Sequence, residues 1–460
     1  MNLSSFRNIL GAASLFLLVV CLQGCATYSQ TMAPIRETLV TGDVSAAVST
    51  FNNIKAPKDD LMHMLDQGYL DFLSGDWLGS NLSFDAAEKR HQDLYTVSIS
   101  NEALALVTSD TNRPYRSNDQ EMAMIPYYRI FNYVQLGRTD DALVEARKAN
   151  NIHKVDLGQL DKMSEKDVRY KAFLNYYTGL LFASQGEDND AIVSLRNAFK
   201  LYQQGHSQYG VPIPRWLAAD YYAAAQKLDL TDETQALKDQ YPNIIKWSQR
   251  NQQNNVVLFL ETGFVPFRKG VDIFLPIYGK DQKATAQTYY ENYGGHIYEY
   301  QTQPAKLDQV LRVSFPKLLP FPNTVSTDEA VIGGAPTPGD LALNLGAATD
   351  LQFKQDSGDI LLRTLIRALA KQGTLKAAQS QSEGLGWLMN AFNVVTEQAD
   401  TRSWLLLPER IDIAKAVVPA DSNSLTVRFL DQAGNLVEEK QVPVNPQQGQ
   451  LQWLSVRCFK

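Results

Sequence analysis

Over the first half of the chain, apolar and small residues recur at helical spacing and one phrase returns. A glycine closes a helix, a small residue follows five positions on, and apolar or small residues stand nine and twelve positions on. Gly42 leads Ala47, Phe51 and Ile54; Gly75 leads Ser80, Phe84 and Ala87; Gly137 leads Ala142, Ala146 and Ala149; Gly186 leads Ala191, Leu195 and Ala198. Two antiparallel helices approach closely only where side chains are small, and a glycine takes the tight turn between them, so each phrase predicts a helix–turn–helix unit. The clearest unit spans 176–202, with Gly179, Phe182, Gly186, Ala191 and Ala198; the next spans 64–90, with Gly68, Gly75, Phe84 and Ala87.

The intervals between the turn glycines are 33, 62 and 49 residues, so the array is interrupted. Residues 91–121 read as an insertion, with a helical stretch at 99–107 and a polar loop at 109–114. A last helical pair, 216–228 and 231–240, would cap the stack before Pro242. After the polar linker Asn251-Gln252-Gln253-Asn254-Asn255 the pattern changes. Val256 to Leu260 is a continuous apolar run that reads as a buried strand, and Val310 to Phe315 is a second. A loop is expected over 320–339. Helical periodicity returns at 349–379 and again at 386–397, and the last sixty residues alternate apolar and polar at 410–418, 425–430, 437–442 and 451–456.

The offsets of the recurring phrase resemble the second half of a tetratricopeptide repeat; the alternative is an irregular helical bundle. The fold class expected is α+β: an N-terminal all-α tetratricopeptide-like helical repeat array over 25–250, a mixed α/β domain over 251–400, and a small C-terminal antiparallel β module over 401–460. A superhelical stack presents a concave face suited to a peptide or partner helix, and Tyr128, Tyr177 and Tyr222 are the candidate anchors on it.

Composition and the termini add an address. Arg7 precedes an apolar stretch from Leu10 to Cys21 that is too short to span a bilayer, and Leu22-Gln23-Gly24-Cys25 follows. This reads as a signal peptide over 1–24 with a lipobox: Gly24 admits the signal peptidase and the Cys25 thiol accepts a diacylglyceryl group. Ala26, where aspartate would retain the protein at the inner membrane, directs it to the outer membrane. Each buried acyl methylene contributes about 0.8 kcal/mol, so two or three chains anchor permanently. Cys458 is left as the lone free thiol, and a net charge of −7 without long charge runs argues against nucleic acid as a partner.

Candidate chemistry is sparse. The five histidines lie in separate segments without metal-ligand spacing, no Gly-x-Ser-x-Gly elbow occurs, and Gly334 to Asp340 spaces glycines like a phosphate loop but puts Asp340 where a lysine would be needed. No metal and no cofactor is expected. Arg363, Arg367 and Lys371 fall on one helix face. With Glu261, Asp400 and Arg402 they form a candidate polar cluster, either a set of structural ion pairs or the site of an envelope hydrolase.

The lipobox at Cys25, the phrase Glu261-Thr262-Gly263-Phe264-Val265-Pro266, and Ala399-Asp400-Thr401-Arg402-Ser403-Trp404 with Leu407-Pro408 together resemble an uncharacterised family of proteobacterial outer-membrane lipoproteins with tetratricopeptide-like repeats. The resemblance spans nearly the whole chain and brings no activity. It implies a place beside lipoproteins that resemble activators of penicillin-binding proteins, near cell-wall synthesis. The expected function is therefore an outer-membrane-anchored, periplasmic protein-binding scaffold or regulator, with a periplasmic protein or peptide as partner.

Overall fold

The computed structural model describes residues 27–54, 60–97, 114–278, 307–332, 334–379, 399–445 and 450–460. The lipobox and Cys25, most of the predicted insertion and the 386–397 helix lie outside them. The described chain is mixed: a helical N-terminal half followed by strands in small sheets, with one long helix between.

Five helical pairs follow one another: α1 (Tyr28–Val40) with α2 (Val44–Asn52), α3 (Leu61–Leu73) with α4 (Trp77–Val97), α5 (Asp119–Gln135) with α6 (Thr139–Ile152), α7 (Glu165–Ser184) with α8 (Asp188–Tyr209), and α9 (Leu217–Lys227) with α10 (Thr231–Gln240). Every pair is joined by a three-residue turn whose central residue has positive φ: Gly42, Gly75, Gly137, Gly186 and, in the fifth, Asp229 at 53°. A left-handed residue there lets the next N–H reach back to close the helix, as Glu187 does on Phe182 O at 2.9 Å, which is why glycine marks these turns.

The small residues do what their spacing predicts. A Cβ at Gly68 would lie 2.8 Å from the Phe84 ring, and one at Gly179 would lie 2.8 Å from Leu195 Cγ and Cδ2. Ala87, Ala142, Ala149, Ala191 and Ala198 are buried. Gly179→Ala is expected to destabilise the fold: overpacking of about 1–3 kcal/mol exceeds the gain of up to ~1 kcal/mol from helix propensity. A denaturation midpoint that stays or rises would show that α7 and α8 separate freely.

The described strands build three sheets. The central one has the order β10 (Gln452–Cys458), β1 (Val256–Thr262), β7 (Arg410–Ala416), β6 (Asp340–Asn344); an outer one has the order β5 (Ala335–Pro338), β4 (Thr327–Ile332), β8 (Ser424–Leu430), β9 (Leu436–Pro443); and β2 (Phe267–Tyr278) pairs with β3 (Leu307–Leu319). The expectation of a self-contained antiparallel module at 401–460 is corrected here. Two of its strands flank β1 in the central sheet and two join β4 in the outer one, and β10 runs parallel to β1. Alternation shows that a strand has two faces but not which strand it pairs with. The 320–339 stretch, expected as loop, contains β4 and β5. The helix predicted at 349–379 starts earlier, as α12 (Leu345–Gln379), and α11 (Ile244–Asn251) ends at the linker.

Strand β1 is buried along its whole length because the central sheet is covered on both sides. Val257 and Phe259 belong to a core shared with the helices that runs from Met32 to Phe459, whereas Val256, Leu258 and Leu260 belong to a second core with Ala330, Val427, Phe429 and Cys458 of the outer sheet and β10. The layers are thus helices, central sheet and outer sheet, and the larger core continues across residues 250 and 400 without a break.

Candidate functional site

The tyrosines expected to line an open groove are core. Tyr128 and Tyr177 have no exposed surface and Tyr222 is 3% exposed. The Tyr177 ring packs edge-on to Phe259 at 5.0 Å and Trp453 at 5.1 Å, and its hydroxyl donates to Tyr127 O at 3.0 Å. Tyr128 sits among Tyr69, Phe72 and Phe84. Helices α5 and α7 turn Tyr127 and Tyr177 against Phe259 of the central sheet, so the face expected to be open is covered by the chain itself; helical periodicity records that a face is covered but not by what.

The polar cluster is dispersed. Glu261, wholly buried, accepts from the Tyr127 hydroxyl at 3.0 Å and the Tyr69 hydroxyl at 3.3 Å, and its nearest cation is Arg457, with Nε 3.9 Å away. Burial pushes its carboxyl above the ordinary value, and Arg457 and the hydroxyls offset part of that. Asp400 is held instead by Arg402, whose Nε and Nη2 lie at 2.9 and 2.8 Å and whose backbone N–H donates at 3.0 Å. Arg367 is buried on α12, where its Nη2 donates to Thr364 Oγ1 at 3.3 Å, and Arg363 is a half-buried neighbour one turn away. The Lys371 side chain lies outside the described residues. The cation at Glu261 therefore comes from β10, not from the α12 stripe, and no sequence signal joins residues so far apart.

The two phrases that carry the family resemblance meet each other. Glu409 N donates to Thr262 O at 2.9 Å and Val265 N to Leu407 O at 3.1 Å, tying the end of β1 to the chain entering β7. Trp404 is fully buried against Phe84 and Tyr128, and its backbone N–H donates to Glu121 Oε1 at 2.8 Å. Both phrases build the joint between helices and sheet.

The cavity that opens at this joint lies elsewhere. It has a volume of about 630 Å³, between α7 to α9 on one side and the linker 251–255, Lys415 and Gln450-Leu451 on the other. Its floor is a network around Asp220 of α9. Lys415 Nζ donates to both Asp220 oxygens at 2.6 and 2.7 Å, Asn251 Nδ2 donates at 2.7 Å, and the Tyr176 hydroxyl donates at 2.8 Å. At the rim Lys227 pairs with Asp188 at 2.7 Å. Each carboxylate lining the cavity has an ammonium partner, so the walls are neutral overall.

Asn254 Nδ2 donates to Asn251 Oδ1 at 3.2 Å and the Asn255 amide is closed on Val418 through both its ends, so what remains for a ligand is the exposed amides of Gln226, Gln252, Gln253 and Gln450, above an apolar wall of Leu180, Ala183, Ala191 and Leu451. Primary amides donate and accept equally, which suits uncharged polar groups such as a peptide main chain. The lining has no histidine or cysteine, and the Ser184 hydroxyl donates to Leu181 O at 2.8 Å rather than to a base. Among the described residues no group of three or more His, Cys, Asp and Glu is arranged to hold a metal ion, and no helix is long and apolar enough to cross a membrane. The sequence reading missed this cavity, although its amide run was visible as the linker.

Compared with known proteins, the chain matches no family model, and no curated protein matches it in sequence.

Proposed function

We propose that the protein is a lipid-anchored periplasmic scaffold, held at the outer membrane by acylated Cys25, that binds a protein or peptide partner through the amide-lined cavity at its helix–sheet joint. The carrying observation is that cavity: neutral, lined by the exposed amides of Gln226, Gln252, Gln253 and Gln450, and with every lining carboxylate already engaged by a lysine. The tetratricopeptide-like reading of the pairs is supported by their shared three-residue turns and by the Gly68–Phe84 and Gly179–Leu195 approaches. These repeats then act as a shell around the sheet, and the partner engages the seam instead of an open groove. The resemblance to envelope lipoproteins supports a role near peptidoglycan synthesis.

Photo-crosslinking in cells from a probe at Gln226 or Gln252, with mass spectrometry of the adduct, tests this. The expected result is one dominant envelope protein, captured from both positions, lost in Cys25→Ala, and not captured from buried Tyr177. Equal capture from cavity positions and from an exposed site on α4 such as Leu82 would overturn it.

A further inference from the structure

Two carboxyl groups meet where the outer sheet lies on the central one. Asp328 of β4 and Asp412 of β7 are 3% and 1% exposed, and both point into the space between the sheets. Among the described residues, neither Asp328 oxygen nor Asp412 Oδ1 has a donor other than the facing carboxyl. Gly339 packs against both residues: a Cβ there would fall 2.0 Å from Asp328 Oδ1 and 3.2 Å from Asp412 Cβ.

The surrounding charges do not neutralise the pair. From β7, Arg410 spends Nη2 on Asp412 Oδ2 at 2.6 Å and Nη1 on Ser326 O at 2.6 Å. From β6, Asp340 adds a further negative charge, itself engaged by Arg215 Nε at 2.8 Å. Strand β5 offers no ionisable group, and Arg428 of β8 lies 2.9 Å from Glu439 and 4.0 Å from Glu329. Two facing carboxylates with a single guanidinium on one of them repel; only a proton held between them turns the contact into a hydrogen bond. Burial and the neighbouring carboxylate both push Asp328 well above the usual aspartate value of 3.8.

We propose that Asp328 and Asp412 form a proton-dependent clasp that holds the outer sheet against the central one and loosens it when the shared proton is lost. An acid whose folded-state titration is raised contributes stability that is complete below its unfolded value and fades as pH rises towards the folded one. Loosening releases the proton, so higher pH favours it. The outer sheet carries Val427 and Phe429 into the second core, and its release would uncover that apolar face. The arrangement is independent of the cavity and of what binds there.

Hydrogen exchange on the full mature chain between about pH 5 and pH 8, corrected for intrinsic rates, tests the clasp. In the wild type the opening constant of β4 and β8 amides is expected to rise about tenfold per pH unit over part of that range, one proton being released, while β1 amides next to the helices do not follow. Asp328→Asn keeps a donor facing Asp412 without a titration, so the slope should vanish and protection at the upper pH should increase; Asp412→Asn should do the same. Glu261→Gln, which removes another raised carboxyl in the other core, should leave the slope intact. A flat wild-type profile, or a slope that survives in both asparagine variants, overturns the proposal.

Discussion

Trp404→Ala is expected to lower stability by about 3–5 kcal/mol, the range for truncating a large buried aromatic. Trp404 is wholly enclosed, with Phe84 and Tyr128 packed edge-to-face on it at 5.8 and 6.2 Å between ring centres. It also closes the segment that crosses the helical pairs: two residues upstream of Ser403, Thr401 Oγ1 accepts from Ser29 N at 3.4 Å, and the Trp404 N–H is seated on Glu121. The cavity left by alanine would therefore loosen α1 as well as α5.

Trp404→Phe gives the contrast. Among the described residues the indole Nε1 has no partner, so phenylalanine removes a buried unsatisfied donor, whose cost is about 1–3 kcal/mol, while keeping most of the packing. Its net effect should be small. Urea denaturation of the mature chain followed by far-UV circular dichroism separates the two; equal losses in both variants would mean that the indole N–H is bonded and that volume is not the main term.

Removing the Asp220 carboxylate should cost a similar amount for a different reason. In Asp220→Ala, Lys415 keeps its ammonium group with a 4% exposed side chain and, among the described residues, only Asn251 Oδ1, at 3.4 Å, as a remaining acceptor. Breaking a buried pair by deleting one partner costs about 3–5 kcal/mol because the other charge stays buried. The pair spans α9 and β7, so the loss falls on the docking of helices to sheet and on the floor of the cavity. Asp220→Ala combined with Lys415→Met removes both charges and should recover most of the stability, while capture of the partner from Gln226 stays impaired. A double variant as unstable as Asp220→Ala alone would show that Tyr176 and Asn251, not the ion pair, are what the carboxylate organises.

Much of the helical half was legible because its signals are local. A three-residue turn needs a left-handed residue and a close crossing needs a missing side chain, so Gly42, Gly75, Gly137 and Gly186 mark turns, and Gly68 and Gly179 mark crossings, wherever the rest of the chain goes. The fifth turn, built on Asp229, carried no glycine and was found only from the flanking helical spacing. Strand β1 was readable for a similar reason, since an unbroken apolar run is what burial on both faces demands.

The candidate site was the part least open to reading. The sequence puts Glu261 in a candidate polar cluster with Arg363 and Asp400 because their charges match, but its partners Tyr69, Tyr127 and Arg457 come from two helices and the last strand. The cavity and the Asp328–Asp412 contact likewise bring together segments from distant parts of the chain.

The sequence by itself therefore determined the helical pairs, their turns, the buried first strand and the two-faced strands near the end, because backbone conformation and face periodicity are dictated by neighbours along the chain. Tertiary structure alone decided that the last strands divide between two sheets and that the central sheet occupies the aromatic face of the helices. It also decided which charges meet. The reason is that strand partners and layer order depend on which apolar surfaces are left to cover once every local element has formed, and that choice is made across the whole molecule.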